Sequence, residues 1–224
     1  MQEYAEQLAK KQREISVSEF FAKNRHLLGF DNPARALLMT VKEAVDNSLD
    51  ATSEINILPE ILVEIIQLQE NRFRVLVEDN GPGIVKKQIP NIFAKLLYGS
   101  KFHTLRQQRG QQGIGISASV LYSQLTTGNP TKILSKIGKN KPAHYFELSI
   151  DTKNNTPKIE KEHDMDWHKD HGTRIELELE AKYLKGKQSV DEYIKQTAIV
   201  NPHTTIKFKS PEGTIFEYVR ITDK

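Results

Sequence analysis

Apolar and polar positions recur with two periods along this chain, and the switches between them divide it into elements. Between residues 33 and 54, Leu37, Val41, Ala44 and Ser48 share one stripe at ~100° per residue, while Glu43, Asn47 and Asp50 fall within ~60° of one another on a second. This predicts a long helix that packs along one face and presents a carboxylate and a carboxamide on another. Asn32-Pro33 opens it, since proline is accommodated in a first helical turn, and Leu58-Pro59 follows its end near Glu54. Ser16 and Glu19 have capping-box spacing ahead of Phe20 and Phe21, so a shorter helix starts there. Before it, Glu3 to Arg13 is polar and helix-favouring, with Tyr4, Ala5, Leu8 and Ala9 as a thin apolar edge. Residues 1–15 read as an amino-terminal arm, and 16–224 as one folded unit.

At residue 60 the period drops to two. Glu60 to Gln69 and Arg72 to Asp79 predict two strands joined at Glu70-Asn71. Phe73, Val75 and Val77 alternate with Arg72, Arg74 and Glu78, so Asp79 falls on the apolar side and aims an acid inward. A buried carboxylate needs hydrogen-bond partners, supplied by the protein or by a ligand. Lys86 to Leu97 predicts a helix, and Tyr98 to Gln112, poor in apolar periodicity, a lid. Ile114 to Leu125 is again helical and stops at Thr-Thr-Gly-Asn-Pro. Strands are expected at 131–137, 143–151, 157–162 and 173–180, the last with Thr173, Ile175, Leu177 and Leu179 inward. A helix over Ser189 to Val200 and a hairpin of 203–209 with 214–220 complete the chain.

Composition narrows this only slightly. The 224 residues suffice for one large domain or two small ones. With 38% hydrophobic and 27% charged residues, no apolar run long enough for a membrane and no signal-peptide pattern, the chain reads as cytoplasmic. The absence of cysteine excludes disulfides, thiol catalysis and thiolate metal sites. A net charge of +3, from 32 basic and 29 acidic residues, permits nucleic-acid binding without indicating it.

Four short stretches carry candidate chemistry. In Asp79-Asn80-Gly81-Pro82-Gly83 the vocabulary is that of an ordinary turn, yet Asp79 can accept from the exocyclic amine of adenine while Gly81 and Gly83 let backbone approach the base. Thr173, aimed into the same layer, can complete that contact directly or through water. Gly110, Gly113 and Gly115 precede or open a helix, where free N–H groups and the helix dipole favour phosphate. This is neither the P-loop nor the dinucleotide fingerprint. Gln111, Gln112, Ile114, Ile116 and Ser117 lie in the same run, and Ser100, Lys101 and Arg109 add donors and positive charge from the lid. Asn47 offers the neutral oxygen that Mg²⁺ takes beside waters and phosphates. Glu43, one turn away, is placed to orient and deprotonate a water, with Asp50 in support.

These four stretches, in this order, resemble the nucleotide site of the GHKL ATPases, which include gyrase-type topoisomerases, Hsp90, MutL and sensor histidine kinases. Further runs narrow the resemblance: Phe-Phe-Ala-Lys-Asn at 20–24, Gly-Phe-Asp-Asn-Pro-Ala-Arg-Ala-Leu at 29–37, Phe-Ala-Lys-Leu-Leu-Tyr-Gly-Ser-Lys at 93–101 and Ala-Ile-Val-Asn-Pro at 198–202 are similar to the B subunit of archaeal DNA topoisomerase VI. The resemblance implies an α/β two-layer sandwich, a mixed sheet with helices on one face, binding ATP and Mg²⁺ under the lid. It also implies an ATP-dependent homodimer that gates passage of double-stranded DNA through a break made by the A subunit. The family's helical insert and transducer, whose lysine reaches the γ-phosphate, have no counterpart before Lys224, so the chain is expected to be the ATPase domain alone. Within the same fold, a sensor kinase would need a phosphoacceptor helix pair, which is not found. A non-catalytic interaction module would have no use for Glu43. His163, His168 and His171, among Asp164, Asp166 and Asp170, match no zinc spacing and read as a solvated loop, with His171 assigned to the turn before Thr173.

Overall fold

The structure, a computed structural model, describes residues 15–98 and 115–223. Residues 1–14 of the expected arm and 99–112 of the expected lid lie outside the described residues. The described residues form eight strands and five α-helices. In chain order these are α1 (Val17–Leu28), α2 (Pro33–Glu54), β1 (Glu60–Gln69), β2 (Arg72–Glu78), α3 (Ile89–Ala94), α4 (Gly115–Thr127), β3 (Thr131–Lys136), β4 (Ala143–Asp151), β5 (Thr156–Met165), β6 (Gly172–Glu180), α5 (Val190–Val200), β7 (Thr205–Lys209) and β8 (Ile215–Tyr218). One sheet holds all the strands in the order β5-β4-β3-β6-β2-β1-β7-β8. Every pairing is antiparallel except that of β1 with β7, so the sheet is mixed, as expected.

The local chemistry written in the sequence sets the helix ends. Ser16 Oγ accepts from the Glu19 amide at 3.2 Å and starts α1, which Gly29 ends in the left-handed region at φ 81°. Asn32 Oδ1 accepts from the Arg35 amide at 2.9 Å, and Pro33 occupies the first turn of α2. In the hairpin of β1 and β2, Val63 faces Val77 and Ile65 faces Val75. These side chains, with Phe73, Ile133, Phe146, Leu148, Ile175, Leu177 and Leu179, form the buried face of the sheet under the helices. The opposite face carries the alternate residues, laced by ion pairs such as Arg74 to Glu178 at 3.0 Å and Lys132 to Glu176 at 3.0 Å. The two-layer architecture follows from this division: helices cover the apolar face and charges hold the open one.

Helix α4 runs through the centre of the helical layer. Every residue from Ile116 to Ser123 is buried, so it shows no polar stripe. Tyr122 donates to the Glu180 carbonyl at 2.9 Å and Ser123 to the Glu178 carbonyl at 2.6 Å, fastening the helix to β6. Phe30 stands between Phe21 and Tyr122, with ring centroids 5.7 and 5.1 Å apart, and ties α1 into the same core.

Three expected spans differ. The helix predicted over 86–97 is instead a 3₁₀ turn, Lys86–Gln88, followed by the short α3, because Pro90 fits only a first turn. Leu97, at φ 59°, then turns the chain away. Strand β5 extends to Met165, beyond 162. It is an edge strand, exposed along nearly its whole length, so its charged residues show no apolar alternation by which to read its end. The terminal hairpin is shorter than predicted at both strands. No helix among the described residues is long and apolar enough to cross a membrane.

Leu49 lies wholly buried in α2 at the sheet interface. Leu49→Ala should lower the unfolding free energy by about 2–5 kcal/mol, through lost transfer energy and the cavity left behind. Urea denaturation followed by circular dichroism measures the loss.

Candidate functional site

Strand β2 ends at Glu78, and the next residue, Asp79, is a second acid that faces the opposite side. Asp79, on the helical side, is buried. Its Oδ1 accepts from the amides of Gly81 at 2.8 Å and Thr173 at 3.1 Å, and its Oδ2 from the Ser48 hydroxyl at 2.9 Å. Burial pushes the Asp79 carboxyl above its ordinary range, while the bonds from Gly81, Ser48 and Thr173 pull the other way. A carboxylate has about four lone-pair sites, so these three donors leave capacity for one more, which suits an exocyclic amine.

The Ser48 contact is a function that helical spacing alone does not single out. Its stripe position marks it as a packing residue, and the hydroxyl also lies 3.1 Å from the Ala44 carbonyl. Only the fold, which lays α2 across the end of β2, reveals it as a donor to Asp79. Thr173 reaches Asp79 through its main chain. Its hydroxyl is 3.1 Å from Ser135 Oγ, which accepts from the Ile84 amide at 2.8 Å.

Around this acid the backbone is too close for side chains. A β-carbon on Gly81 would lie 3.0 Å from Asp79 Oδ1, and one on Gly83, at φ 72°, would overlap the Lys136 carbonyl. His171 Nδ1 donates to the Gly81 carbonyl at 2.8 Å, so this histidine does more than turn the chain.

Glu43 and Asn47 are half-buried on α2. A β-carbon on Gly115 would overlap the Glu43 carboxylate, so the two predicted motifs meet where α4 begins, at the positive end of that helix dipole. Ile116 and Ser117 are buried in its first turn. Ser100, Lys101, Arg109, Gly110, Gln111, Gln112, Gly113 and Ile114 lie outside the described residues. Asp50 is buried on α2. So is Asp46, which accepts from Lys42 Nζ at 2.6 Å and from the Tyr193 hydroxyl at 2.9 Å, tying α5 to the helix of Glu43. The four-residue spacing of Lys42 and Asp46 is the available sequence signal for this pair. Burial and then the charge of Asp46 raise the Tyr193 hydroxyl far above its ordinary pKa, so it stays a donor.

On the open face, Glu78 is as buried as its neighbour. Arg174 Nε donates to Oε2 at 2.7 Å and Lys169 Nζ lies 3.0 Å from Oε1. Burial pushes its carboxyl up, but the Arg174 and Lys169 contacts outweigh this and hold it below the ordinary carboxylate range. Of the three histidines, His163 packs at a tilt on Tyr145, with ring centroids 4.7 Å apart, and His168 is exposed. Asp164 is 2.7 Å from His144 and 3.2 Å from Lys86. No cluster of three or more acidic or histidine side chains among the described residues could hold a metal. A divalent cation here would have to share few protein ligands with phosphate and water, the habit of Mg²⁺, and the carboxamide of Asn47 is of the right type.

A sequence profile of the histidine kinase-, DNA gyrase B- and HSP90-like ATPases matches residues 32–183. A protein of Methanococcoides burtonii, named as the B subunit of type 2 DNA topoisomerase 6, is 60% identical over 221 residues, covering 98% of this chain and 36% of the relative. Its namesake in Archaeoglobus fulgidus is 54% identical over 214 residues, 95% of this chain and 35% of that protein. The chain thus spans about a third of the length of these curated relatives. Among solved structures, the topoisomerase IV ATP-binding domain of Francisella tularensis, in complex with a small-molecule inhibitor, superposes with a TM-score of 0.57 at 17% identity, covering 91% of this chain and 95% of that one. The Aquifex aeolicus MutL ATPase domain complexed with ADP superposes at 0.53 with 19% identity, over 83% and 64%. At these identities the two structures support the fold.

Because Glu78 has a depressed pKa in the folded state, it contributes stability above the unfolded carboxylate pKa and loses it as pH falls through the lower folded value. Glu78→Gln should therefore be less stable than the parent at pH 7. The gap between them should narrow as pH falls below the ordinary carboxylate range and the parent's carboxylate protonates. Urea unfolding of both proteins across a series of falling pH values gives the comparison.

Proposed function

The chain belongs to the histidine kinase-, DNA gyrase B- and HSP90-like ATPases, and from that membership we propose that it is the ATP-binding and ATP-hydrolysing part of a type IIB topoisomerase B subunit. The observation that carries this reading is Asp79, a buried acid with three protein donors and acceptor capacity for a fourth, placed where α2, β6 and the Gly81 turn converge. In this reading Asp79 accepts from the adenine amine, Gly81 keeps the space beside it free of a side chain, and Gly83 lets the turn pack against the Lys136 main chain. Thr173 and Ser48 orient the acid.

Glu43 faces the beginning of α4, the end at which phosphate is favoured, and there orients a water and takes its proton. Asn47 would hold Mg²⁺, which neutralises charge on the phosphate oxygens. The glycines from Gly110 to Gly115, with Ser100, Lys101 and Arg109, are proposed as phosphate donors on the sequence pattern. Residues 1–15 are proposed as a dimer-forming arm and 16–224 as the ATPase unit. The gating of duplex DNA by an ATP-dependent pair of B subunits working with a DNA-cleaving A subunit is proposed from the relatives at 54–60% identity.

Glu43→Ala tests the reading. The carboxylate acts on water and not on the bound nucleotide, so Mg-ATP should bind about as well as to the parent while turnover falls about a hundredfold or more. Calorimetric titration and single-turnover hydrolysis separate the two. If both parameters fall together, Glu43 holds the structure or the metal instead.

A further inference from the structure

The segment from Asp166 to His171 crosses the end of β2 behind the Asp79–Gly83 turn and touches it at two points. His171 donates to the Gly81 carbonyl at 2.8 Å, and Lys169 Nζ donates to the Asp79 carbonyl at 3.1 Å. The same ammonium lies 3.0 Å from Glu78 Oε1, so it bridges a buried side-chain carboxylate and the main chain of the next residue. Glu78 is itself fixed, since Arg174 Nε holds its other oxygen at 2.7 Å and the Arg174 guanidinium sits 5.8 Å from the centre of the Trp167 ring. Lys136 Nζ donates to the Trp167 carbonyl at 3.3 Å, anchoring the start of the segment.

The peptide groups of Asp79 are therefore gripped on both sides. Its N–H donates to the Thr173 carbonyl at 2.9 Å, and its carbonyl takes Lys169. Gly172, at φ 139°, is crowded so closely against that carbonyl that a β-carbon would overlap it, so the segment has room to reach Asp79 only because residue 172 lacks a side chain. The direction in which the Asp79 carboxylate points depends on the orientation of these peptides. A shift of about 1 Å carries a donor and acceptor out of hydrogen-bonding range.

We propose that Lys169 is a positioning residue for nucleotide recognition: braced by Glu78, it holds the main chain of Asp79 so that the acid meets the adenine amine. The proposal rests on the assignment of Asp79 to adenine made above. The charge on Lys169 also acts through space to favour the ionised, accepting form of Asp79. Lys169 touches Glu78 and the main chain of Asp79 and takes no part in the site assigned to Glu43, so its effect is on binding and not on the chemical step.

The experiment is a calorimetric titration of Mg-ATP into the 224-residue chain and its Lys169→Met, Lys169→Arg and Lys169→Gln variants, with kcat and a thermal melt on each sample. Lys169→Met should raise Kd about tenfold, the scale of one charge-assisted hydrogen bond, and leave kcat within about twofold of the parent. Lys169→Arg, which keeps both charge and donor, should restore most of the affinity. Lys169→Gln, which keeps a donor without the charge, should fall between them and serves if the methionine variant does not fold. An unchanged Kd in Lys169→Met or Lys169→Gln would overturn the proposal. So would equal losses in the arginine and methionine variants accompanied by a lowered Tm in both, since that pattern marks a purely structural lysine. A parent chain that does not bind ATP would overturn the adenine assignment as well, whereas a binding parent with unaffected variants overturns the role of Lys169 alone.

Discussion

A carboxylate buried between a sheet and a helix must be met by donors, and this requirement organises much of what surrounds Asp79. Ser48 is brought to it by α2, Thr173 by β6, and Gly81 by the turn that follows. Each donor belongs to a different element, so the acid can be satisfied only when helix, sheet and turn are all in place. Burial alone would favour the protonated acid. The three donors oppose it in part, and the carboxyl stays above its ordinary range.

The alternation of a β-strand gives the same place a second property. Consecutive residues point to opposite faces, so Glu78 and Asp79 put one acid in each layer of the molecule. The first is saturated by Arg174 and Lys169, as a buried charge in a stable fold has to be. The second keeps acceptor capacity. Lys169 joins the two through the Asp79 carbonyl, which links the ion pairs of the open face to the main chain of the helical side's acid.

The broad plan is legible in the sequence because its signals are local. Ser16, Asn32 and Pro33 fix helix starts by chemistry within one turn, and the strict alternation in β2 and β6 identifies the buried face. The short α3 and the long edge strand β5 depart from the expected spans for equally local reasons: Pro90 resets the helix start, and an exposed strand needs no apolar alternation. Within the site, the inward aim of Asp79 follows from parity. The roles of Ser48, Ser135, Lys169 and the Asp46–Tyr193 pair do not, because each acts through a contact between residues far apart in the chain. A serine on an apolar helical stripe looks like packing until the strand end that it caps is known.

The central claim is that Asp79 reads an adenine. The most direct test titrates Mg-ATP into the parent chain and into Asp79→Asn, which keeps the volume of the side chain but replaces one carboxylate oxygen with an amide donor. Saturable binding to the parent and loss of measurable binding to the variant are expected, because an unpaired buried amine costs about 1–3 kcal/mol and the amide adds a donor facing a donor. Equal affinity in the two proteins, with both folded by circular dichroism, would contradict it.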